Sequence, residues 1–407
     1  MATLRPFQAL RPVRERARDV AAVPYDVVST GEARSLAAGN PWSFLRVSRA
    51  EIDLPEGADP YSEDVYRRAV ESFERLLREC PLTREPEPSL YLYRLRMGEH
   101  EQTGIAATFS LDEYDSDVVR KHERTRRDKE DDRTRHMVTL RAQTGPVFLT
   151  YRDRPEIDAL VAAATGESPL YDFTAEDDVT HTLWRADHET VRRLADEFLR
   201  VPLLYIADGH HRAASAARAR EELRSRADSP RSGEPWDFFL GVAFPAGQAR
   251  ILPYNRIVRD LGGRSAADFL SVLGKRLPVS PDAAPSPARR GDVSMYLDGR
   301  WYGIRLLPAA ASESPALDVS LLQEQVLEPL LGIDDVRTDP RINFVGGARG
   351  TDALAAAVEG GRAAVAFSLF SVGVEDLMRI ADAGGIMPPK STWFEPKLRD
   401  GLLIHEI

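Results

Sequence analysis

One stretch, Leu203-Leu204-Tyr205-Ile206-Ala207-Asp208-Gly209-His210-His211-Arg212-Ala213-Ala214, constrains this chain more than any other. Its apolar opening has the length and compactness of a buried strand. Arg212 to Leu223 is rich in Ala, Arg and Glu, all good helix formers. A buried strand must therefore end at Asp208-Gly209 and a helix must open within the next two residues. Such a junction belongs to a sheet covered by helices.

The rest of the chain alternates in the same way. Ser29 or Thr30 can cap a short helix with Glu32 in its first turn. Tyr61 to Glu79 places Val65, Ala69, Phe73, Leu76 and Leu77 on one helical face, and Pro81 with the Pro86/Pro88 pair stops it. Leu90–Leu95 and Thr103–Leu111 read as strands around a polar turn, and Val147–Tyr151, Thr180–Trp184 and Asp237–Phe244 as further strands. An Ala-rich helix is expected near Ile157–Thr165. Residues 277–292, rich in Pro, Ala and Ser, read as a linker or surface loop between an N-terminal region, 1–276, and a C-terminal region, 293–407. Beyond it, Val293–Leu297 and Trp301–Leu306 form a hairpin about Asp298-Gly299, a type I′ signal. A helix over Leu317–Leu330 follows, then strand, helix and strand over Arg341–Val345, Thr351–Glu359 and Ala363–Phe370. The fold class is mixed α/β with antiparallel hairpins.

Composition narrows function by exclusion. Apolar residues make up 43% and charged residues 29%, an ordinary globular balance. The net charge of −10 disfavours nucleic acid as a partner. No apolar run approaches the ~20 residues of a membrane span, and the Arg-rich first twenty residues lack the apolar core of a secretion signal. The single cysteine, Cys80, cannot close an intrachain disulfide. These features together point to a cytoplasmic protein. Gly-x-x-x-x-Gly-Lys-[Ser/Thr], His-Glu-x-x-His and Gly-x-Ser-x-Gly are all missing, which argues against a Walker-type kinase, a zinc protease and an α/β-hydrolase.

The junction has the makings of an anion site. A helix start offers free N–H groups and the positive end of the dipole. Gly209 lets backbone approach a ligand without a Cβ in the way. His210, His211 and Arg212 can converge on the same point, while Asp208 can cap the helix, hold Mg2+ or orient a histidine. A second polar concentration covers Arg120 to His136, with nine Lys or Arg residues between 120 and 141 in an otherwise acidic chain. If helical, it puts Glu123, Arg127, Glu130 and Thr134 on one face, and His122, Arg126, Lys129 and Arg133 on the next. Such a segment is either a solvated face laced with ion pairs or the cover of a highly charged ligand. Glu123 and Glu130 are equal candidates for a general base, with Lys121, Arg126 and Arg133 offsetting negative charge. Pro24-Tyr25-Asp26 and the Pro-fixed Met387–Trp393 loop, presenting Lys390, Ser391 and Thr392, are candidate substrate contacts.

Asp-Gly-His-His-Arg-Ala after an apolar strand resembles the phosphate-binding motif of the ParB/sulfiredoxin-like superfamily. It is most similar to that of its free serine kinases, which carry Asp-Gly-His-x-Arg. A wider resemblance joins Arg5-Pro6-Phe7, Pro24–Ser29, Asn40–Leu45, Lys121–Thr125, Lys129–Arg133, Asp208–Arg212 and Met387–Thr392 in order. That set resembles the prokaryotic domain-of-unknown-function 1015 family over nearly the whole chain. The narrower resemblance implies a ParB/sulfiredoxin-like core and a small-molecule kinase. Such an enzyme would use ATP or ADP with Mg2+ to phosphorylate a free amino acid such as L-serine, and is compatible with a homodimer. In that scheme Gly209, His210, His211 and Arg212 cradle phosphates, and Asp208 binds metal or orients His210. Hydrolysis of a phosphate ester or nucleotide, and a non-catalytic nucleotide-responsive switch, are the rival readings.

Overall fold

The computed structural model describes residues 1–80, 82–229, 231–308 and 316–407. Two compact units are present: Met1–Ala249 joined by Pro396–Ile407, and Arg250–Glu395. The expected break at 277–292 is not a boundary between them. Val279–Pro281 within it is hydrogen-bonded to Tyr302–Ile304, so backbone pairing holds a segment whose composition reads as loop.

The first unit is built on one mixed sheet. Its strands in chain order are β1 (Tyr91–Met97), β2 (His100–Ser110), β3 (Val119–Arg120), β4 (Val147–Tyr151), β5 (Tyr171–Thr174), β6 (Thr180–Arg185), β7 (Leu204–Asp208) and β8 (Phe238–Pro245). They lie in the order β3-β7-β4-β8-β2-β1-β6-β5. β7 runs parallel to β3 and antiparallel to β4, while β8 is parallel to β4. Leu204 to Ala207 are all buried, as a central strand requires.

Three helices matter for the site. α1 (Glu63–Glu79) buries Val65, Ala69, Phe73 and Leu76 as its periodicity predicts, although Leu77 is 44% exposed and Tyr66 takes its place inside. Pro81, expected to stop α1, lies outside the described residues. α2 (Arg127–Leu140) packs on α3 (His210–Arg226). Ser215 and Arg218 form the α3 face toward α2, where Ser215 Oγ donates to the Glu130 carbonyl at 3.3 Å, while Ala213, Ala216 and Ala219 are buried in the core with the sheet. The charged segment is therefore not one helix: residues 121–126 are irregular and α2 begins only at Arg127. Ser29 caps Thr30–Leu36 in a capping box with Glu32, as read from the sequence.

Pro396–Ile407 closes the first unit. His405–Glu406 pairs with Ala142–Gln143, and the Ile404 N–H donates to the Leu10 carbonyl. No described helix is long and apolar enough to cross a membrane.

The second unit holds a six-stranded sheet covered by helices. The Asp292–Leu297 and Arg300–Arg305 strands form the expected hairpin, with Asp298 at φ 48° and Gly299 at φ 77°. The helix expected over 317–330 is α-helical over Asp318–Leu322 and Glu328–Leu331, with a π-helical Gln323–Leu327 between them.

Candidate functional site

The site is the passage from β7 to α3. Gly209 has φ 97°, a left-handed conformation that costs an L side chain dearly, and a Cβ there would lie 3.0 Å from the Arg212 guanidinium. No side chain among the described residues caps the first turn of α3. Its open N–H groups and the dipole of a 17-residue helix make that turn a place for negative charge.

Asp208, the last residue of β7, holds two cations. Its Oδ2 is 3.3 Å from Arg212 Nη2 and 3.4 Å from Lys397 Nζ. Burial alone would raise the Asp208 carboxyl, but Lys397 and Arg212 outweigh it and hold it well below the usual carboxylate range. Arg212 is 5% exposed, and its Nη1 donates to the Pro146 carbonyl. Its guanidinium is thus held by the protein on two sides.

His210 turns the other way. Its ring meets that of His122 edge-on, with centroids 4.4 Å apart and planes at 88°. The His122 N–H donates to His210 Nε2 over a long 3.4 Å. Burial lowers the His122 imidazole to about 4 and the His210 imidazole well below its ordinary value, so both are neutral at pH 7. Half-buried Glu123 completes the group: one donor atom from each of His122, Glu123 and His210 lies within 4.8 Å of the others.

A small cavity of about 20 Å3, room for about one water, is lined in part by Tyr25, Arg133, His136, Thr144, Arg212 and Asp400. Asp400 is 2% exposed, and its Oδ1 has no hydrogen-bond partner among the described residues. Burial pushes its carboxyl up to about 7, although Arg212 opposes the rise. Gly145 is required opposite it, because a Cβ there would fall 2.5 Å from Asp400 Oδ1.

The family model described as "Protein of unknown function (DUF1015)" matches residues 4–321. The chain belongs to this family. No curated protein matches it. Solved structures similar to this family member include a free serine kinase in complex with AMP, at 13% identity and TM-score 0.36, covering 72% of this chain and 91% of that one. A conserved hypothetical protein from Pyrococcus furiosus has 13% identity and TM-score 0.36, covering 74% and 94%. SbnI with C-terminal truncation from Staphylococcus aureus has 11% identity and TM-score 0.36, covering 72% and 85%.

Within this family member, the residues singled out from sequence separate into groups. Asp208, Gly209, His210, His211 and Arg212 stand together at the helix start, joined by Glu123. Glu130 instead accepts from Thr125 Oγ1 and pairs with Arg218 at 3.3 Å. Lys121 is turned to the Tyr114 carbonyl at 2.7 Å and Asp117 at 2.8 Å. Arg126 is exposed and pairs with its neighbour Asp128 at 2.8 Å. Arg133 is bound to Asp132 at 2.7 Å and to the Ser48 carbonyl at 3.1 Å, with its guanidinium 4.3 Å from the Tyr25 ring centre. Tyr25 is buried at the small cavity, and exposed Asp26 adds its charge to Arg212 and Asp400. Lys390, Ser391 and Thr392 belong to the second unit. There Arg256 donates to the Lys390 carbonyl at 3.1 Å, and Ser391 Oγ donates to the Pro388 carbonyl at 2.6 Å.

Sequence reasoning missed Lys397 and Asp400. Neither carries a local signal, and each gains its role from the return of the C-terminal segment to the first unit. His122, which the sequence places only on one face of a charged run, is the buried partner of His210.

Proposed function

We propose that this protein is a small-molecule kinase that moves a phosphoryl group from ATP or ADP to the hydroxyl of a free amino acid such as L-serine. One observation carries the reading: an uncapped helix start, opened by Gly209, stands beside a half-buried carboxylate, Glu123, and two neutral imidazoles. Phosphoryl transfer asks for anion binding and a proton acceptor at one place. The Asp-Gly-His-His-Arg resemblance to free serine kinases supports the same choice.

The residues suit such a ligand in charge. The first-turn N–H groups of α3 and half-buried His211 receive phosphate oxygens, and the missing Cβ at Gly209 leaves the approach open. Asp208 is a positioning residue, since it fixes Arg212 and Lys397 behind the helix start. Mg2+ bound with the nucleotide supplies charge neutralisation to the transferring group. Glu123 takes the hydroxyl proton as that oxygen bonds to the terminal phosphorus and the bond to the ADP or AMP oxygen breaks. Glu123 is preferred over Glu130 because Glu130 is already engaged by Arg218 and Thr125.

The test is incubation of the full chain with Mg2+, ATP or ADP, and a panel of amino acids, followed by mass spectrometry. A phosphorylated amino acid that disappears in Glu123→Gln is the expected result. Nucleotide consumed without a phosphorylated acceptor would mean a hydrolase, and nucleotide bound without turnover a switch.

A further inference from the structure

We propose that His122, Glu123 and His210 form a binding site for one divalent transition-metal ion of the Zn2+, Co2+, Mn2+ or Fe2+ class. Two imidazoles and a carboxylate bring their donor atoms within 4.8 Å of one another. Bonds to such ions are about 2.0–2.2 Å long, so ligand atoms of one tetrahedral ion stand about 3.3–3.6 Å apart, and a 4.8 Å separation closes by about 1.2–1.5 Å through side-chain rotation on binding.

A second, independent observation points to a ligand. The His122 side chain is 2% exposed, yet neither of its ring nitrogens makes a hydrogen bond among the described residues. The Ile206 carbonyl lies near enough to favour the charged imidazole, but outside hydrogen-bond geometry. A buried polar group without a partner is costly, and native proteins rarely leave one unexplained. The hydrogen bond joining the pair, from the His122 N–H to His210 Nε2, is 3.4 Å long and easily surrendered. The scaffold is firm: β3 and β7 are parallel neighbours in register Leu204 with Val119 and Tyr205 with Arg120. That register carries the chain leaving β3 to His122 alongside the end of β7, where α3 begins with His210.

The donor set chooses the ion. Mg2+ prefers oxygen ligands and keeps its waters, whereas imidazole nitrogen suits borderline transition metals. Asp208, occupied by Arg212 and Lys397, is a poorer ligand for either. One consequence rests on the kinase reading: a metal ligand cannot also accept a proton, so an ion bound here silences Glu123 and inhibits Mg2+-dependent transfer.

Co2+ is the probe. The full chain, stripped with a chelator and then freed of it, is titrated with Co2+ without nucleotide and followed by visible absorption and calorimetry. One ion per chain is expected, with bands that Zn2+ abolishes by displacement. His122→Gln, Glu123→Gln and His210→Gln should each weaken binding by at least about tenfold, while His188→Gln, on an exposed histidine, leaves it unchanged. Should a histidine variant fail to fold, Glu123→Gln, half-buried and close in shape, decides. Substoichiometric or unsaturable binding by the wild type, or wild-type affinity in folded Glu123→Gln, overturns the site. Metal binding intact in a chain that phosphorylates no amino acid supports the site and sinks the kinase reading alone.

Discussion

The charged segment 120–136 and the junction 208–212 carry comparable polar density, yet their side chains are used in opposite ways. In the first, charge is largely spent within the protein. Arg133 serves Asp132, Arg126 serves Asp128, and Arg135 serves Glu63, while Glu130 and Asp131 both hold Arg218. At the junction the helix start is uncapped, and the one stretch of the segment that reaches it brings His122, whose ring packs on His210 and whose ring nitrogens are unpartnered among the described residues. The richer run of charge is mostly scaffold. Chemistry is marked instead by buried polar groups that the protein leaves unsatisfied, because these are the ones a ligand can reward.

The largest expected effect separates Glu123, on the irregular stretch that meets the junction, from Glu130 on α2. Glu123→Gln should lower phosphoryl transfer by about 10²- to 10⁴-fold, the worth of a general base, and Glu130→Gln by no more than a few fold. Steady-state rates that reverse this order would move the chemistry onto α2. Next comes Arg133→Met, which strands Asp132 inside the protein and should cost on the order of 3–5 kcal/mol in urea unfolding. A cost below about 1 kcal/mol would mean that the segment is no scaffold.

The pH dependence of stability sharpens the contrast further. The Asp400 carboxyl rises from 3.8 when unfolded to about 7 when folded, so the unfolded chain gives up this proton first. Stability from this group is therefore full below about pH 4 and falls as pH climbs toward 7. Asp400→Asn should melt higher than wild type at pH 8 and nearly equal to it at pH 4; equal melting at both sinks the assignment. His136 and His405, lowered from 6.5 to about 4 by burial, act oppositely and remove stability as pH falls from 6.5 toward 4. The smallest effect belongs to Arg126→Ala. An exposed pair with the adjacent Asp128 predicts a change within about 0.5 kcal/mol by thermal melting.

Much of the fold was legible. The strand over 204–208, the α1 face of Val65, Ala69, Phe73 and Leu76, the Ser29 capping box and the Asp298-Gly299 hairpin each follow from a rule spanning a few residues. The 277–292 segment misled because strand pairing at Val279–Pro281 depends on a partner more than twenty positions away. Leu77 misled because its position on the α1 face is tilted toward solvent, which periodicity alone does not resolve. Of the site, the Asp208–Arg212 group was visible as a dense polar cluster after an apolar strand. The inward hold on Arg212 by Pro146 and Asp208 was not.

Local pattern thus settled that a buried strand turns at a glycine into a helix whose N-terminus is rich in imidazole and guanidinium. Backbone propensity, turn chemistry and apolar periodicity act over a handful of residues, and all are written in order along the chain. That His122 and Glu123 should meet His210, and that Lys397 and Asp400 should return to Asp208 and Arg212, was settled by sheet pairing and by the closing segment of the first unit. The His122–His210 and Asp208–Lys397 hydrogen bonds join residues 88 and 189 positions apart, and such contacts depend on how the sheet is ordered, a property no short stretch of sequence contains.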